Sequence, residues 1–469
     1  MLGDIAWRGF SLAFGLTNFL ALAGTAAFRD GAFTKRASEE EKKELAVARK
    51  KYWSLDAEPI PGFTHEFFTT KNGVKIHYVV NSKTRPTEAR NVAIFIHGFP
   101  DSFMLWRQLL KAPGLQSCIL IAVDLPGYGG SDGLSQYSAN EMLEAVTAFI
   151  IEMREKYVQE NAKVVIASHD WGGIVASRLA SEAKELADRW IIAGAVIPGL
   201  LLANTKTLSA SSKQMLHTYL RHPFNFRLVK RAFATLSPVF SQISRSFYIF
   251  IFNLPKPIAN FAVRMGDYWF LRILQNAAAG LYKNRKLVRK MSASESGDWM
   301  AMCSGPSVAE IQSTGDLAYS DSVRARASDY GAAEKLRIYR EGLFSTPWEK
   351  SLETVIALSD IAASSTSKPT SGAGLFEEGP PGALKAPATI LYGKYDPAFE
   401  RRLALDGVSD YLVKGSQVLI IDGAGHWLPH EGLGAKVLED VVEWAIGDEK
   451  QPLKTRFDGL PDVKFTLEK

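Results

Sequence analysis

"IASHDWGGIVASR", Ile166 to Arg178, passes from an apolar run through a tight turn of small residues into a helical pattern. This is the layout of a nucleophile elbow, in which strand and helix approach so closely that only small side chains fit beside the apex. Ser168, Gly172 and Gly173 supply those small side chains, and Asp170 occupies the apex. "KVVIA" before the turn predicts a strand and "IVASRLA" after it a helix. Asp170 is then expected at the C-terminal edge of a sheet, where open α/β sheets bind ligands. The alternative role for Asp170 is a plain cap on the helix that follows.

Similar apolar runs lie on both sides of the elbow. "NVAIFIHGFP", "CILIAVDLPGYG" and "WIIAGAVIPG" flank it, and "PATILYGKYD" and "SQVLIIDGAGHW" come much later. Consecutive Val, Ile and Leu suit strands buried on both faces of a parallel sheet. Helical stretches such as "GAKVLEDVVEWAIG" alternate with them, which predicts a doubly wound α/β fold. Asn72-Gly73 between two alternating runs predicts a hairpin at the start of the sheet. The rhythm breaks between about Leu200 and Lys385, a stretch rich in aromatic and helix-forming residues that is expected to form a mostly helical cap. "SSTSKPTSGAGLFEEGPPGALKAP", Ser364 to Pro387, reads as its return loop. The expected organisation is an N-terminal part over residues 1–53, a first core part over 54–199, the cap with its return loop over 200–385 and a second core part over 386–469.

Of the 469 residues, 46% are hydrophobic and 22% charged, a balance that belongs to a folded globular chain. The net charge of +5 comes with no Lys/Arg block interleaved with aromatics, so nucleic acid is not an expected partner. The two cysteines form no CxxC or Cys/His cluster, so no zinc site is expected; Cys118 reads as a core thiol. Gly9 to Phe28 carries no charge and is close to the roughly 20 residues that cross a bilayer as a helix. Ser11, Thr17, Asn18 and Thr25 interrupt it. Three readings stay open: a membrane anchor, a docked amphipathic helix and a cleaved signal peptide. Basic residues crowd its C-terminal side (Arg29, Lys35, Arg36, Lys42, Lys43), which for an anchor leaves the rest of the chain on the cytoplasmic side. "TKRASEEEKKELAVARKKYW", Thr34 to Trp53, is highly charged with mixed signs and predicts a solvated linking helix without a partner.

An acid and a histidine must complete the elbow, and in this arrangement they follow in that chain order. Asp396 closes the strand of "YGKYDPAF", and His426 follows the last parallel run in "IDGAGHWLPHE". Asp406, Asp410 and Asp422 are weaker candidates for the acid, and His430 is the decoy for the histidine. "IHGFPDSFMLW" follows the third strand, so the Phe99 and Trp171 amides are expected to form an oxyanion hole. His97, Pro100 and Trp427 are expected around the substrate, with His97 better suited to holding the loop than to chemistry. A carboxylate attacks saturated carbon readily and gives an alkyl-enzyme ester, which water activated by His426 can then hydrolyse. Suitable substrates are epoxides or haloalkanes. No cofactor or metal is expected.

"HGFPDS", "SHDWGG" and "GHW", in this order, resemble the α/β-hydrolase-fold epoxide hydrolases, and the resemblance covers most of residues 58–447. It implies a small epoxide as substrate, which the Phe- and Tyr-rich "SRSFYIFIFNLP" suggests is apolar, and two cap tyrosines that donate to the epoxide oxygen. "FYIFIFNLP" resembles the first tyrosine segment and "LRIYREG" the second, which implies Tyr248 and Tyr339 in those roles. Aromatic packing is the plain alternative for Tyr248 and Tyr339, and Tyr282, Tyr319 and Tyr330 are competing donors. Haloalkane dehalogenases usually carry Asn where Phe99 stands. The sequence departs from the epoxide hydrolase pattern at Asn253, where Gln is frequent, and at Ser168, where Gly is common. Besides an epoxide hydrolase, the sequence leaves open a tailoring hydrolase or cyclase of secondary metabolism, a haloalkane dehalogenase and a non-catalytic binding protein on the same scaffold.

Overall fold

Each of the six apolar runs becomes a parallel strand buried along its whole length. The structure is a computed structural model that describes residues 2–82, 90–283, 286–312, 317–364, 379–447 and 449–469. The strands are β1 (Thr64–Thr69), β2 (Lys75–Val80), β3 (Val92–Ile96), β4 (Ile119–Val123), β5 (Val164–His169), β6 (Arg189–Ala193), β7 (Ala388–Gly393), β8 (Gln417–Ile421) and β9 (Val463–Glu468). They form one sheet in the order β1-β2-β4-β3-β5-β6-β7-β8-β9. From β4 to β8 every neighbouring pair is parallel, and β1, β2 and β9 add antiparallel edges. The β1–β2 hairpin turns at Asn72-Gly73, as the sequence predicts. β9 was not anticipated: its side chains alternate between packed and exposed, as an edge strand with one wet face must.

The strand order reverses at β3, so the loops after β3 and β5 meet at one edge, where the loops after β7 and β8 also end. Helices α3 (Ala139–Tyr157) and α4 (Trp171–Glu182) cover the sheet, and a long insertion separates β6 from β7. That insertion contains α5 (Pro198–Arg221), α6 (Phe226–Arg245), α7 (Phe247–Phe252), α8 (Lys256–Ala278) and α9 (Ala293–Ser304), then shorter turns and α10 (Leu352–Ser364). α10 packs back against α3 and is fixed there by Glu144, which accepts bonds from Ser351 and Thr354. Most of the predicted return loop, residues 365–378, lies outside the described residues.

The N-terminal part departs from expectation. α1 (Leu2–Gly24) continues as one wider turn through Arg29 and is the single described helix long and apolar enough to cross a membrane. One of its faces lies along α7: Phe14 meets Phe250 edge-on at 5.0 Å, and a side chain at Gly15 would sit 2.7 Å from the Phe250 carbonyl. α2 (Glu39–Trp53) is not a partnerless solvated helix. It starts with a capping box between Ser38 and Glu41 and packs along α9. Ala48, Tyr52 and Trp53 are buried. The Trp53 indole donates to the Ala301 carbonyl at 2.9 Å, and the Arg49 guanidinium lies 4.5 Å over the Tyr330 ring. Most of the charges occupy the outer face while one stripe, Arg49 included, is buried, and a long basic side chain can be packed and still count as charged in the sequence.

Trp53→Ala removes a fully buried indole and its hydrogen bond, so it should destabilise the chain by about 3–5 kcal/mol. Urea unfolding of the two proteins measures this. A solvated helix would show a change within about 0.5 kcal/mol.

Candidate active site

The elbow depends on its small residues. Asp170 has φ 53° and ψ −120°, a backbone conformation that L-residues rarely adopt, at the junction of β5 and α4. Strain of this kind persists only where the surroundings over-determine it. Here a Cβ on Gly172 would fall 2.4 Å from the carbonyl oxygens of Ile96 and His97, and one on Gly173 would fall 2.4 Å from the Ala195 methyl. Ser168, in place of the frequent Gly, fits because its hydroxyl donates to the Ile191 carbonyl at 2.9 Å. The Asp170 side chain makes no capping bond to α4.

The Asp170 carboxylate turns toward the loop after β3. The Phe99 N–H donates to Asp170 Oδ1 at 2.8 Å, and the Trp171 nitrogen lies beside the same carboxylate. These are the two amides expected to form the oxyanion hole. The approach is close enough that a Cβ on Gly98 would lie 2.4 Å from Oδ1. The Phe99–Pro100 peptide is cis, and Pro100 is buried in this loop. His97, grouped with the substrate-binding residues on sequence, turns both ring nitrogens to the backbone. It is fully buried; Nδ1 donates to the Gly98 carbonyl at 2.8 Å and Nε2 accepts from the Leu125 N–H at 3.0 Å. With both nitrogens bound to backbone, it holds the loop in place.

Opposite Phe99, His426 Nε2 lies 3.5 Å from Asp170 Oδ2, and His426 Nδ1 lies 2.8 Å from Asp396 Oδ2. Asp396 Oδ1 accepts from the Ala398 N–H at 2.7 Å, which fixes the carboxylate plane. The three residues are 7–9% exposed. Burial alone would lower the His426 imidazolium, but Asp396 and Asp170 on either side outweigh it and hold it well above the ordinary histidine range. Burial would likewise raise Asp170, yet bonding to His426 keeps it below the usual carboxylate range. The imidazole thus lies between two carboxyl groups, and the direction of both shifts favours an ion pair of His426 with Asp170.

The competing candidates lie elsewhere. Asp422 is paired with Lys394 and Lys464, and Asp406 with Arg402. Asp410 sits in a turn beside the C-terminal Lys469 region. His430 packs against Trp299 at 4.7 Å. Tyr319 donates to the Trp53 carbonyl, Tyr330 stacks on Tyr268, and Tyr282 belongs to a short two-stranded pair. Tyr248 and Tyr339 instead meet over the elbow, with ring centroids 6.0 Å apart. Tyr339 stands edge-on to Trp171 at 4.9 Å and to Phe99 at 5.2 Å. Burial raises both phenols, and the nearby Asp170 charge raises them further, so both keep their protons. Asn253 contributes to this arrangement: its amide donates to the carbonyls of Ile249 and Tyr339, tying the two tyrosine segments together, and Arg340 does the same through Phe252 and Leu254.

Two features of the site were not read from the sequence. His169 donates from Nε2 to the His426 carbonyl at 2.8 Å, and burial first, then the His426 charge, lower it to about 4, so it stays neutral. Asp101 is buried beside Asp170, and burial followed by the Asp170 charge pushes it up to about 7. Its Oδ2 has no hydrogen-bond partner, and Trp427 stands next to it. The signal for both was adjacency to quoted motifs, "SHDWGG" and "HGFPDS", but only the packed site shows which atoms they face.

A sequence model described as the alpha/beta hydrolase family matches residues 93–439. The chain belongs to the alpha/beta hydrolase family. It is 33% identical over 141 residues to epoxide hydrolase 2 of Caenorhabditis elegans, a stretch of 29% of this chain and 36% of that one. It is 22% identical over 364 residues to epoxide hydrolase 3 of Mus musculus, covering 76% of this chain and 70% of that one. A crystal structure of Bacillus megaterium epoxide hydrolase with an inhibitor aligns at 18% identity and TM-score 0.46, over 82% of this chain and 100% of that one. The chain thus spans about a third of the length of the Caenorhabditis relative.

In an Asp170→Asn protein the His426 titration should move to lower pH, because one of the two anions that raise it is gone. Imidazole NMR resolves the midpoint. An unchanged midpoint would mean that Asp170 and His426 do not share a charge.

Proposed function

We propose that this family member is an epoxide hydrolase of the Asp-nucleophile type, acting without a cofactor on small apolar epoxides. The observation that carries this reading is the division of labour between the two Asp170 oxygens: Oδ1 accepts from Phe99 N–H while Oδ2 faces His426. Oδ2 attacks a ring carbon, the C–O bond breaks, and the departing oxygen takes a proton from Tyr248 or Tyr339. The product of this step is an alkyl ester on Asp170. Its formation removes the Asp170 charge, so His426 loses one of the anions that hold its proton; the imidazolium returns that proton to the tyrosinate left by ring opening and becomes a neutral base. His426 then takes a proton from water, the hydroxide attacks Asp170 Cγ, and the charge develops on Oδ1 within reach of the Phe99 and Trp171 amides. Collapse expels the alkoxide, which takes a proton from the His426 imidazolium and leaves as a vicinal diol; the new Asp170 carboxyl gives its proton back to His426, which restores the carboxylate.

Two half-buried, protonated tyrosines above the nucleophile favour an epoxide over a haloalkane, since an alkoxide needs a proton and a halide does not. The aromatic surroundings (Phe99, Trp171, Phe252) favour an apolar substrate. α1 supports membrane association, with the basic residues after it favouring the cytoplasmic side.

Diol formation from a styrene-oxide-like probe tests the proposal. Tyr248→Phe and Tyr339→Phe should each lower kcat by about 10- to 100-fold, and the double variant by 10³-fold or more, the range of general acid catalysis. Halide release from a haloalkane at a rate matching epoxide opening, unchanged by both substitutions, would contradict it.

A further inference from the structure

The insertion contains a feature that catalysis does not use. α5 and α6 form an antiparallel hairpin whose helices bury little: Pro198, Leu200 and Ser212 in one, Ala232 and Pro238 in the other. The hairpin is tied to the body at its base. Asn204 donates to the carbonyls of Leu403 and Asp406, Ser241 donates to Glu400, and Gln242 donates to the Ala398 carbonyl. From Asn204 to Arg221, at about 1.5 Å per residue, the tip stands roughly 25 Å from that base.

The tip is apolar and exposed. Leu220 is 75%, Phe224 92% and Phe226 68% exposed, and Phe226, Phe233 and Phe240, seven residues apart, form one exposed stripe on α6. Contiguous exposed aromatics of this kind mark an interaction surface. Their charge setting identifies the partner. Fifty Asp and Glu residues are spread over the 469, yet none falls between Arg189 and Gly266. Arg221, Arg227, Lys230 and Arg231 flank the exposed aromatics. An apolar face bordered by basic residues, with no acid to repel phosphate, fits the boundary of an anionic bilayer.

We propose that the tip of the α5–α6 hairpin inserts into the surface of an anionic phospholipid membrane, with Phe224 and Phe226 in the acyl boundary and Arg221, Arg227, Lys230 and Arg231 at the headgroups. This is a second contact, separate from α1. It lies on the element that leads into the site, since Arg245 at the end of α6 donates to the Asp396 carbonyl and Tyr248 follows directly.

The test uses the full chain on vesicles, with Phe224→Cys carrying an environment-sensitive NBD label; Cys118 and Cys303 are buried. On phosphatidylcholine–phosphatidylserine vesicles the emission should shift to the blue, be quenched by doxyl-labelled lipid and be shielded from iodide. Arg227→Glu/Lys230→Glu/Arg231→Glu should weaken that burial at least tenfold, as about fivefold per basic residue implies. Hydrolysis of a water-soluble epoxide probe should be unchanged and serves as the folding control. An aqueous emission on vesicles that still carry the protein would overturn the proposal, because α1 alone would then hold it. Equal burial on phosphatidylcholine alone would overturn the anionic assignment.

Discussion

The structure is organised around one buried charge, the Asp170 carboxylate. A buried carboxylate is costly unless each oxygen is satisfied. Here the Phe99 amide takes one oxygen, with the Trp171 nitrogen close by, and His426 stands opposite the other. Three remote segments must converge to achieve this: the loop after β3, the elbow after β5 and the loop after β8. Parallel strands ending at one edge bring them together. Glycine at 98, 172 and 173 lets them approach, and His97 with both ring nitrogens and His169 with Nε2 hold the loops in place.

The same pairing links the two halves of the proposed reaction. His426 holds its proton while Asp170 is charged, and it loses that support when the charge disappears into an ester. The base is thus released by the first step and need not be poised in advance. Asp396 remains throughout and keeps the ring oriented through Nδ1. Asp101, pushed up to about 7 next to Asp170, adds no second negative charge to the resting site over the acidic half of the pH range.

Much of this was legible in the sequence because the signals are local. Six apolar runs gave six parallel strands, and the elbow, Asp396 and His426 follow from motif and strand-end position. What was missed depends on partners distant in the chain. α2 reads as solvated because its charges are counted without α9, some 250 residues away, under which Trp53 is buried. Asp101 is an ordinary loop carboxyl until Asp170 and Trp427 pack around it. His97 looks available to substrate until Gly98 and Leu125 occupy both its nitrogens. The α5–α6 hairpin escaped notice because its basic residues are dispersed; the informative feature is the long interval without a single acid. Tyr248 and Tyr339, by contrast, were identified through resemblance, and Asn253 and Arg340 explain physically how their two segments are held together.

The central claim is that Asp170 becomes covalently attached to substrate and is itself hydrolysed. A single turnover in ¹⁸O-water with excess enzyme, followed by mass analysis of the peptide containing Asp170, tests it directly. The account predicts label in the Asp170 carboxylate and unlabelled oxygen in the first-turnover diol. Label in the diol, with none in the peptide, would mean that water attacks the epoxide itself and that Asp170 acts only as a base.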